Sequence, residues 1–490
     1  MQFEFEFKTA GAGERIELDQ PLKILLMANF SGHRIGQAPT ALAQRRARRV
    51  DIDNMDQLLA NFAPSLQLDL PDLGQNELSL EFRSLDDFHP DQLFRNLPLF
   101  QELRETRAQL QNPASFAQAA EKLRGGLPLP TATPAPAAVS SAGNDFAALL
   151  AGNVTRVGAA AKNDFEALIR SIAAPLIVSG HDPSMYLAAV DQTISSLMRA
   201  ILHHPAFQQL EACWRGVHFV ITNLELEESL QLHLLDVSKE ELAQDLQQAG
   251  SDLSRSKVYP VLVEAGRQAA DATAWGVLLG NYHFENTEAD VNQLAALAAL
   301  ASQAGAPFLA AAKDSVLGCQ SLVEESEPRD WPRLDAQALA RWQALRSMPQ
   351  AAYLGLALPR VLMRLPYGKN SDAIEQFEFE ETPLKHEEFL WGNPALACGL
   401  LLAQSFQEDA WDMQPGTILD IADMPAYTFR HDGQSHLLPA AETCLLERAS
   451  EAALQAGLMS LQSFKNRNAV RLLRFQSLAL PAKPLSGAWS

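Results

Sequence analysis

The sequence predicts a mixed α/β fold large enough for more than one domain. Three observations predict it. Along 490 residues, segments with apolar residues at a spacing of two, or in short continuous runs, alternate with segments at helical spacing. Hydrophobic residues make up 47% of the chain, enough to fill sizeable cores. Between the two halves of this pattern lies Leu127–Gly143, LPLPTATPAPAAVSSAG. Its prolines deny it helix and ladder, and its alanines and serines give it little to pack, so it reads as an extended linker.

Upstream of the linker, residues 1–126 read as a compact α/β module. Phe3, Phe5 and Phe7 alternate with Glu4, Glu6 and Lys8, a strand with one aromatic face. Lys23–Asn29, KILLMAN, is a continuous apolar run suited to a buried strand. Asp53 is positioned to cap a helix carrying Met55, Leu58, Leu59 and Phe62 on one face. Leu66, Leu68 and Leu70, then Leu78, Leu80 and Phe82, alternate again as strands. Ser84 with Asp87, followed by Pro90, introduces a helical region from about 90 to 123.

Downstream, residues 144–490 divide into a helical part (144–215), an α/β body (216–460) and a C-terminal strand arm (461–490). Asp145–Ile177 reads as alanine- and leucine-rich helix. Val190, Ile194, Leu197, Met198, Ile201 and Leu202 form a buried helical stripe that Pro205 breaks. Phe207, Leu210 and Trp214 begin the next face. Leu230, Leu232 and Leu234 alternate as a strand, and Ser238 with Glu241 makes a capping box for the helix after it. Trp275–Phe284, Pro307–Ala312 and Tyr353–Leu358 read as further strands. Thr287 caps a helix running to Gln303 with Gly305 beyond its end, and Pro394 opens another. The sheet is expected to be mixed or partly parallel.

Composition excludes several function classes. A net charge of −20 gives a long-range field of the wrong sign for nucleic acid or anionic membrane. No stretch approaches the roughly 20 apolar residues of a membrane span. The N-terminal residues lack a signal-peptide layout, so a cytoplasmic location is expected. Cys213, Cys319, Cys398 and Cys444 are far apart and read as small core residues rather than a disulfide or zinc framework. Arg45, Arg46, Arg48 and Arg49 present a local basic cluster, read as a solvated loop or helix start, or as a grip for an acidic partner.

No chemistry-bearing pattern emerges, so no catalytic residue, cofactor or metal is expected. Adjacent His203 and His204 point about 100° apart on a helix and do not converge on one ion; a structural role before Pro205 is expected. Gly368-Lys369 lacks the rest of a phosphate loop, and Gly11–Gly13 lacks the third glycine of a dinucleotide site. Glu378, Glu380 and Glu381 read as a solvated strand face. Trp214 reads as a core residue whose N–H meets a carbonyl, Gly216 as the end of that helix, and Arg215 as the partner of an acidic neighbour. Arg360 and Arg364 either bridge subunits or solvate a helix. What remains is assembly. Strands near chain ends, with Phe3, Phe5 and Phe7 at one and Val470, Leu472 and Arg474 at the other, can pair with a neighbour's open sheet edge.

The wording of two regions carries a resemblance. Ile201–Asn223, ILHHPAFQQLEACWRGVHFVITN, resembles the large subunit of the contractile sheath of bacterial type VI secretion systems. So do Gly276–Phe284, GVLLGNYHF, Tyr353–Gly368, YLGLALPRVLMRLPYG, and Glu387–Phe406, EEFLWGNPALACGLLLAQSF. Gln20–His33, Val50–Leu68 and Leu78–Arg107 resemble the small sheath subunit. The two are separate chains in most such systems; here they are joined through the linker. The resemblance implies a phage-tail-sheath-like fold and self-assembly into a helical tube by exchanged terminal strands. It implies an inner-tube protein and baseplate components as partners, and contraction powered by a metastable lattice rather than by a bound nucleotide. It also implies a AAA+ recycling unfoldase. The helix that unfoldase grips is replaced or shortened here, with Asp145–Leu150 as a remnant. A sheath-derived cap, adaptor or static tube is the alternative.

Overall fold

A computed structural model describes residues 3–7, 20–32, 40–70, 75–124, 183–265, 274–431, 434–464 and 467–489. The linker, Gly11–Gly13, Asp145–Leu150 and the helices expected over Asp145–Ile177 lie outside the described residues.

The first half contributes β1 (Leu22–Ala28), β2 (Arg48–Val50), α1 (Met55–Phe62), β3 (Ser65–Leu70), β4 (Gln75–Glu81), α2 (Pro90–Asn96), α3 (Gln101–Gln111) and α4 (Phe116–Arg124). The second half begins with α5 (Pro183–Leu202) and α6 (Pro205–Thr222). There follow β5 (Leu230–Asp236), α7 (Lys239–Ala249), β6 (Val277–Phe284), α8 (Glu288–Ala304), β7 (Phe308–Ala312), α9 (Ala336–Arg346), β8 (Leu354–Leu358), β9 (Val361–Leu362) and β10 (Trp391–Gly392). The chain closes with α10 (Pro394–Asp409), β11 (Asp420–Ile421), β12 (Tyr427–His431), β13 (Gln434–Leu438), α11 (Glu447–Gln455), β14 (Met459–Ser463) and β15 (Val470–Leu472).

One nine-stranded sheet organises the molecule, in the order β11-β15-β14-β8-β7-β6-β1-β5-β2. The six strands from β14 to β5 run parallel, and β2, β15 and β11 are antiparallel to their neighbours. The sheet is therefore mixed and mostly parallel, as expected. Helices cover both faces, which is why the central strands read as continuous apolar runs. In β1, Leu22, Ile24, Leu26 and Ala28 enter the core beneath α5, α6 and α10. Leu25 and Met27 enter the opposite core, beneath α7, α8, α9 and α11.

The described strands β1 and β2 from upstream of the linker lie in the same sheet as the downstream strands. β1 sits between β5 and β6, with all seven of its residues registered on β5, Leu22 opposite Leu230 through Ala28 opposite Asp236. β2 is the strand beyond β5. A seven-residue apolar run bounded by polar segments needs strand neighbours on both edges, and the upstream sequence supplies neither. The alternating segments β3 and β4 instead pair with each other as a separate hairpin.

Local rules hold at most helix ends. The Ser238/Glu241 capping box is present, Thr287 accepts from the Asp290 amide, and Gly305 takes the left-handed conformation beyond α8. Elsewhere the structure corrects the reading. The region from 90 to 123 is broken at Leu97-Pro98 and Asn112, giving α2, a short turn, α3 and α4. The helix-start position of α1 is Asn54 rather than Asp53, and the Asp51 carboxylate collects the amides of Asp53 and Asn54. Cys444 is exposed, while Cys213, Cys319 and Cys398 are buried.

Candidate assembly site

Helix α6 carries most of the residues that the sequence singles out. It starts at Pro205, where the missing N–H costs nothing. His204 caps it: its Nδ1 accepts the Ala206 amide at 3.2 Å. Burial depresses the His204 pKa, only partly opposed by Asp69, which keeps the ring in the neutral form that can accept. His203 sits between two carboxylates, with Nε2 3.4 Å from Glu381 and Nδ1 3.7 Å from Glu388.

Trp214 lies in mid-helix, fully buried. Its Nε1 donates to the Phe30 carbonyl at 3.1 Å, and its ring centroid lies 5.3 Å from Phe30 and 5.8 Å from Phe62. A downstream residue is thus bonded to the segment that follows β1. Gly216 does not end the helix, because α6 continues to Thr222. A Cβ at Gly216 would stand 2.4 Å from Leu396 Cδ1, so the missing side chain is what lets α10 approach.

Below Trp214 the face is charged and closed. Glu211 is 0% exposed. It accepts from Arg215 Nε at 2.7 Å and from Arg364 Nε at 2.7 Å. Arg364 Nη1 donates to Glu381 Oε2 at 2.7 Å, where the Tyr367 amide also donates at 2.7 Å. Arg215 Nη2 reaches the Tyr367 hydroxyl at 2.8 Å. Two carboxylates therefore face two guanidinium groups inside the protein. Burial alone would raise the Glu381 carboxyl, but the Arg364 charge and the hydrogen bonds it receives hold it at about 2. Burial opposes charge on Arg364 too, and Glu211 and Glu381 overcome it, raising its pKa well above the ordinary value.

This network settles two expectations. Arg364 neither solvates a helix nor is exposed to a neighbour: it follows strand β9 and is consumed within the chain. Glu381 is not on a solvated strand face, since it is 1% exposed and ion-paired. Arg360 also finds an internal partner: its Nε donates to Glu442 at 2.8 Å, and His386 Nε2 lies 3.0 Å from the same carboxylate. The Glu442 carboxyl, which burial would raise, is held at about 2 by these partners.

The arginine cluster is divided rather than free. Arg45 pairs with Glu241 and donates to the Asp236 carbonyl at 2.7 Å, Arg49 pairs with Glu228 at 3.1 Å, and Arg48 lies over the Phe62 ring. Arg48 and Arg49 belong to a strand rather than a loop or helix start.

The two terminal segments differ. Phe3, Phe5 and Phe7 form no ladder; they rest half-buried on the body, where the Glu6 amide donates to the Ser251 carbonyl at 2.8 Å and the Phe7 ring meets Tyr259. Val470 and Leu472, by contrast, are fully buried in β15, which is paired on both sides, by β14 and β11. They are not a free arm in this chain. Arg474, just beyond, is exposed. Beside β11 and β15 lies an open cavity of about 480 Å³ lined by Asp420, Asp423, Phe464, Arg467, Asn468 and Arg471.

A family model described as "EvpB/VC_A0108, tail sheath N-terminal domain" matches residues 184–479. The chain belongs to that tail sheath family. A second model, described as "Type VI secretion system, VipA, VC_A0107 or Hcp2", matches residues 1–128. This sheath-family chain is 32% identical over 307 residues to the type VI secretion system sheath protein TssC1 of Pseudomonas aeruginosa, 61% of each chain. It is 31% identical over 120 residues to the sheath protein TssB1 of the same organism, 24% of this chain and 68% of that one. The chain thus spans less than two thirds of the length of TssC1. It joins a small-subunit-like and a large-subunit-like sheath region in one polypeptide. Among the described residues of this sheath-family chain, no helix is long and apolar enough to cross a membrane, and no three His, Cys, Asp or Glu side chains converge as metal ligands.

Sequence reading missed Glu211, Tyr367, Glu381 and Glu442 as network members. Glu211 was within reach, being four residues before Arg215 on one helix face. The others come from loops, Tyr367 and Glu381 returning to the α6 network and Glu442 to Arg360, and no local pattern announces either return.

Proposed function

We propose that this chain is a structural subunit of a type VI contractile sheath, polymerising with copies of itself into a helical tube around an inner tube. The observation that carries the reading is that regions matching both sheath subunits are built into one sheet, giving a stiff body suited to a lattice repeat. In this reading residues 1–126 are the small-subunit-like part, 127–143 the linker and 144–490 the large-subunit-like part. Heterologous contacts that do not close on themselves generate a filament. In this reading the Phe3–Phe7 segment, which lies on the surface of the body outside any sheet ladder, is the one that pairs with a neighbour's sheet edge. His203, His204, Trp214, Arg215, Gly216, Arg360 and Arg364 shape and stiffen the body rather than meet a partner.

Contraction draws on a metastable lattice, with the inner-tube protein and baseplate components as partners, a AAA+ unfoldase for recycling, and a cytoplasmic location. The chain carries out no catalysis. A second reading, a non-contractile cap, adaptor or static tube, is favoured by one feature: Val470 and Leu472 are bound into the chain's own sheet and offer no second strand for exchange. Sedimentation of the purified protein across a concentration series tests assembly. Growth into pelletable polymers supports the reading, and a monomer at every concentration sinks it. Hydrolysis of ATP by the purified protein would sink the non-catalytic part.

A further inference from the structure

The loop between β9 and β10 leaves Leu384 90% exposed, against 59% for Ile52, the next most exposed large hydrophobic side chain among the described residues. A single exposed leucine needs no explanation by itself. This one sits on a backbone that the fold holds in a costly shape. Thr382, two residues before it, is β-branched and takes a φ of 36°, in the left-handed region that such residues avoid. We propose that the Pro383-Leu384 knuckle is a knob that seats on a second copy of this chain, in the cavity beside β11 and β15. The proposal rests on the self-assembly reading and gives it a body-to-body contact separate from any exchanged strand.

The knuckle is fixed on both sides. Before it, the Glu381 carboxylate is tied to Arg364 at 2.7 Å, and the Glu381 amide donates to the Tyr367 carbonyl at 2.9 Å. The Glu380 carbonyl accepts from Arg199 of α5 at 2.8 Å. After it, Glu388 Oε2 accepts the Leu384 amide at 2.6 Å and the Lys385 amide at 3.2 Å. His203 stands between the Glu381 and Glu388 carboxylates, so the buried network under α6 reaches both flanks. Leu384 is thus presented on a pre-formed turn, which spares the ordering cost that a flexible loop meets on binding.

The cavity offers what such a knob needs. Phe464 and Ala422 give it apolar lining, Arg467 lies over the Phe464 ring, and Asp423 is a further wall. Among the described residues four non-glycine residues have positive φ, and two of them, Thr382 and Asp423, fall at the knuckle and at the cavity. The signs of charge match as well. Lys385 and Glu387 are exposed beside the knob, and Asp423 and Arg467 are their opposites in the cavity. Asp420, also in the wall, is already paired with Arg471 at 3.2 Å. At a net charge of −20 two copies repel overall. A contact between them belongs where one side offers an exposed arginine.

The test is cross-linking of the full chain at its highest soluble concentration and in any pelleted polymer. The exposed Cys444 is first replaced by serine. Leu384→Cys protein is then mixed with Ala422→Cys protein, treated with a short bis-maleimide, and the linked peptides are mapped. The 384–422 link between chains is expected to far outnumber the 384–384 and 422–422 links. All three in statistical proportion, or no link between chains, would overturn the proposal. Sedimentation velocity supplies a second readout. Leu384→Asp should weaken association by roughly tenfold or more, the loss expected for one buried leucine. Glu387→Arg and Arg467→Glu should each weaken it, and the two together should restore it; a double variant no better than either single one contradicts the contact. A polymer that pellets without the 384–422 link removes this contact and leaves the sheath reading standing. The link without any polymer keeps the contact and removes the sheath reading, and the absence of both removes both.

Discussion

Replacing Arg364 with alanine tests the buried ion network most sharply. Arg364 is 8% exposed and touches both Glu211 and Glu381, which are 0% and 2% exposed at their side chains. Removing it leaves two carboxylates buried with less compensation, a situation that costs about 3–5 kcal/mol. An independent route gives the same scale. The Glu381 carboxyl is held at about 2 against an ordinary 4.5, and at about 1.4 kcal/mol per pH unit that gap is worth roughly 3 kcal/mol. An unfolding entropy of about 2 cal/mol/K per residue then predicts a Tm loss of about 4 °C for a body of this size. The sign with pH follows. A depressed carboxyl contributes stability that is complete above about 4.5 and is lost as pH falls toward 2. In the Arg364→Ala variant Glu381 keeps its burial and loses its main cation, so acid relieves rather than harms it. The Tm gap between wild type and variant, read by scanning calorimetry, is therefore largest near pH 7.5 and shrinks toward pH 4.5. A gap under 1 °C at pH 7.5, or one that widens in acid, would refute the reasoning.

Three further outcomes follow from single features. Gly216→Ala places a methyl 2.4 Å from Leu396 Cδ1; despite alanine's better helix propensity, the variant should lose about 1–3 kcal/mol, and Leu396→Ala in the same chain should return part of it in urea titrations. His204→Asn keeps a side-chain acceptor that does not titrate. Since burial depresses the His204 pKa, the wild-type cap holds above the ordinary histidine range and is lost as pH falls through the folded value. The Asn variant should match wild-type Tm at pH 8 and exceed it at acid pH by the equivalent of about 1 kcal/mol; a wild-type-like acid limb would contradict the cap assignment. A thiol reagent should label the native protein once, at exposed Cys444. Cys213 and Cys398 are buried and pushed up to about 12, as is Cys319. Peptide mapping checks this, and rapid labelling at Cys213 would count against the core packing.

The individual elements were legible wherever burial is two-sided or a cap is local. Lys23–Asn29, Pro307–Ala312 and Tyr353–Leu358 announce central strands because both of their faces are covered. Ser238 with Glu241, and Thr287 with Gly305, announce helix ends because the chemistry lies within a few residues. The assembly of those elements was not legible. Nothing local to β1 says that its neighbours come more than 200 residues later, so a compact upstream module was the natural reading. Glu381 misled for a related reason: FEFEE alternates like an exposed strand, and only the return of Arg364 across the fold turns its carboxylate inward. Gly216 looked like a helix stop because glycine often is one, whereas here a helix crossing requires it. The resemblance to sheath subunits came from wording rather than from any of these physical signals, and the family matches bear it out.

The central claim is that one fused chain builds a sheath-type tube by itself. Negative-stain electron microscopy of the purified full-length protein, alone and with its candidate inner-tube protein, tests it most directly. The account predicts hollow, helically striated cylinders from this single chain. Discrete particles of uniform size under both conditions would contradict it.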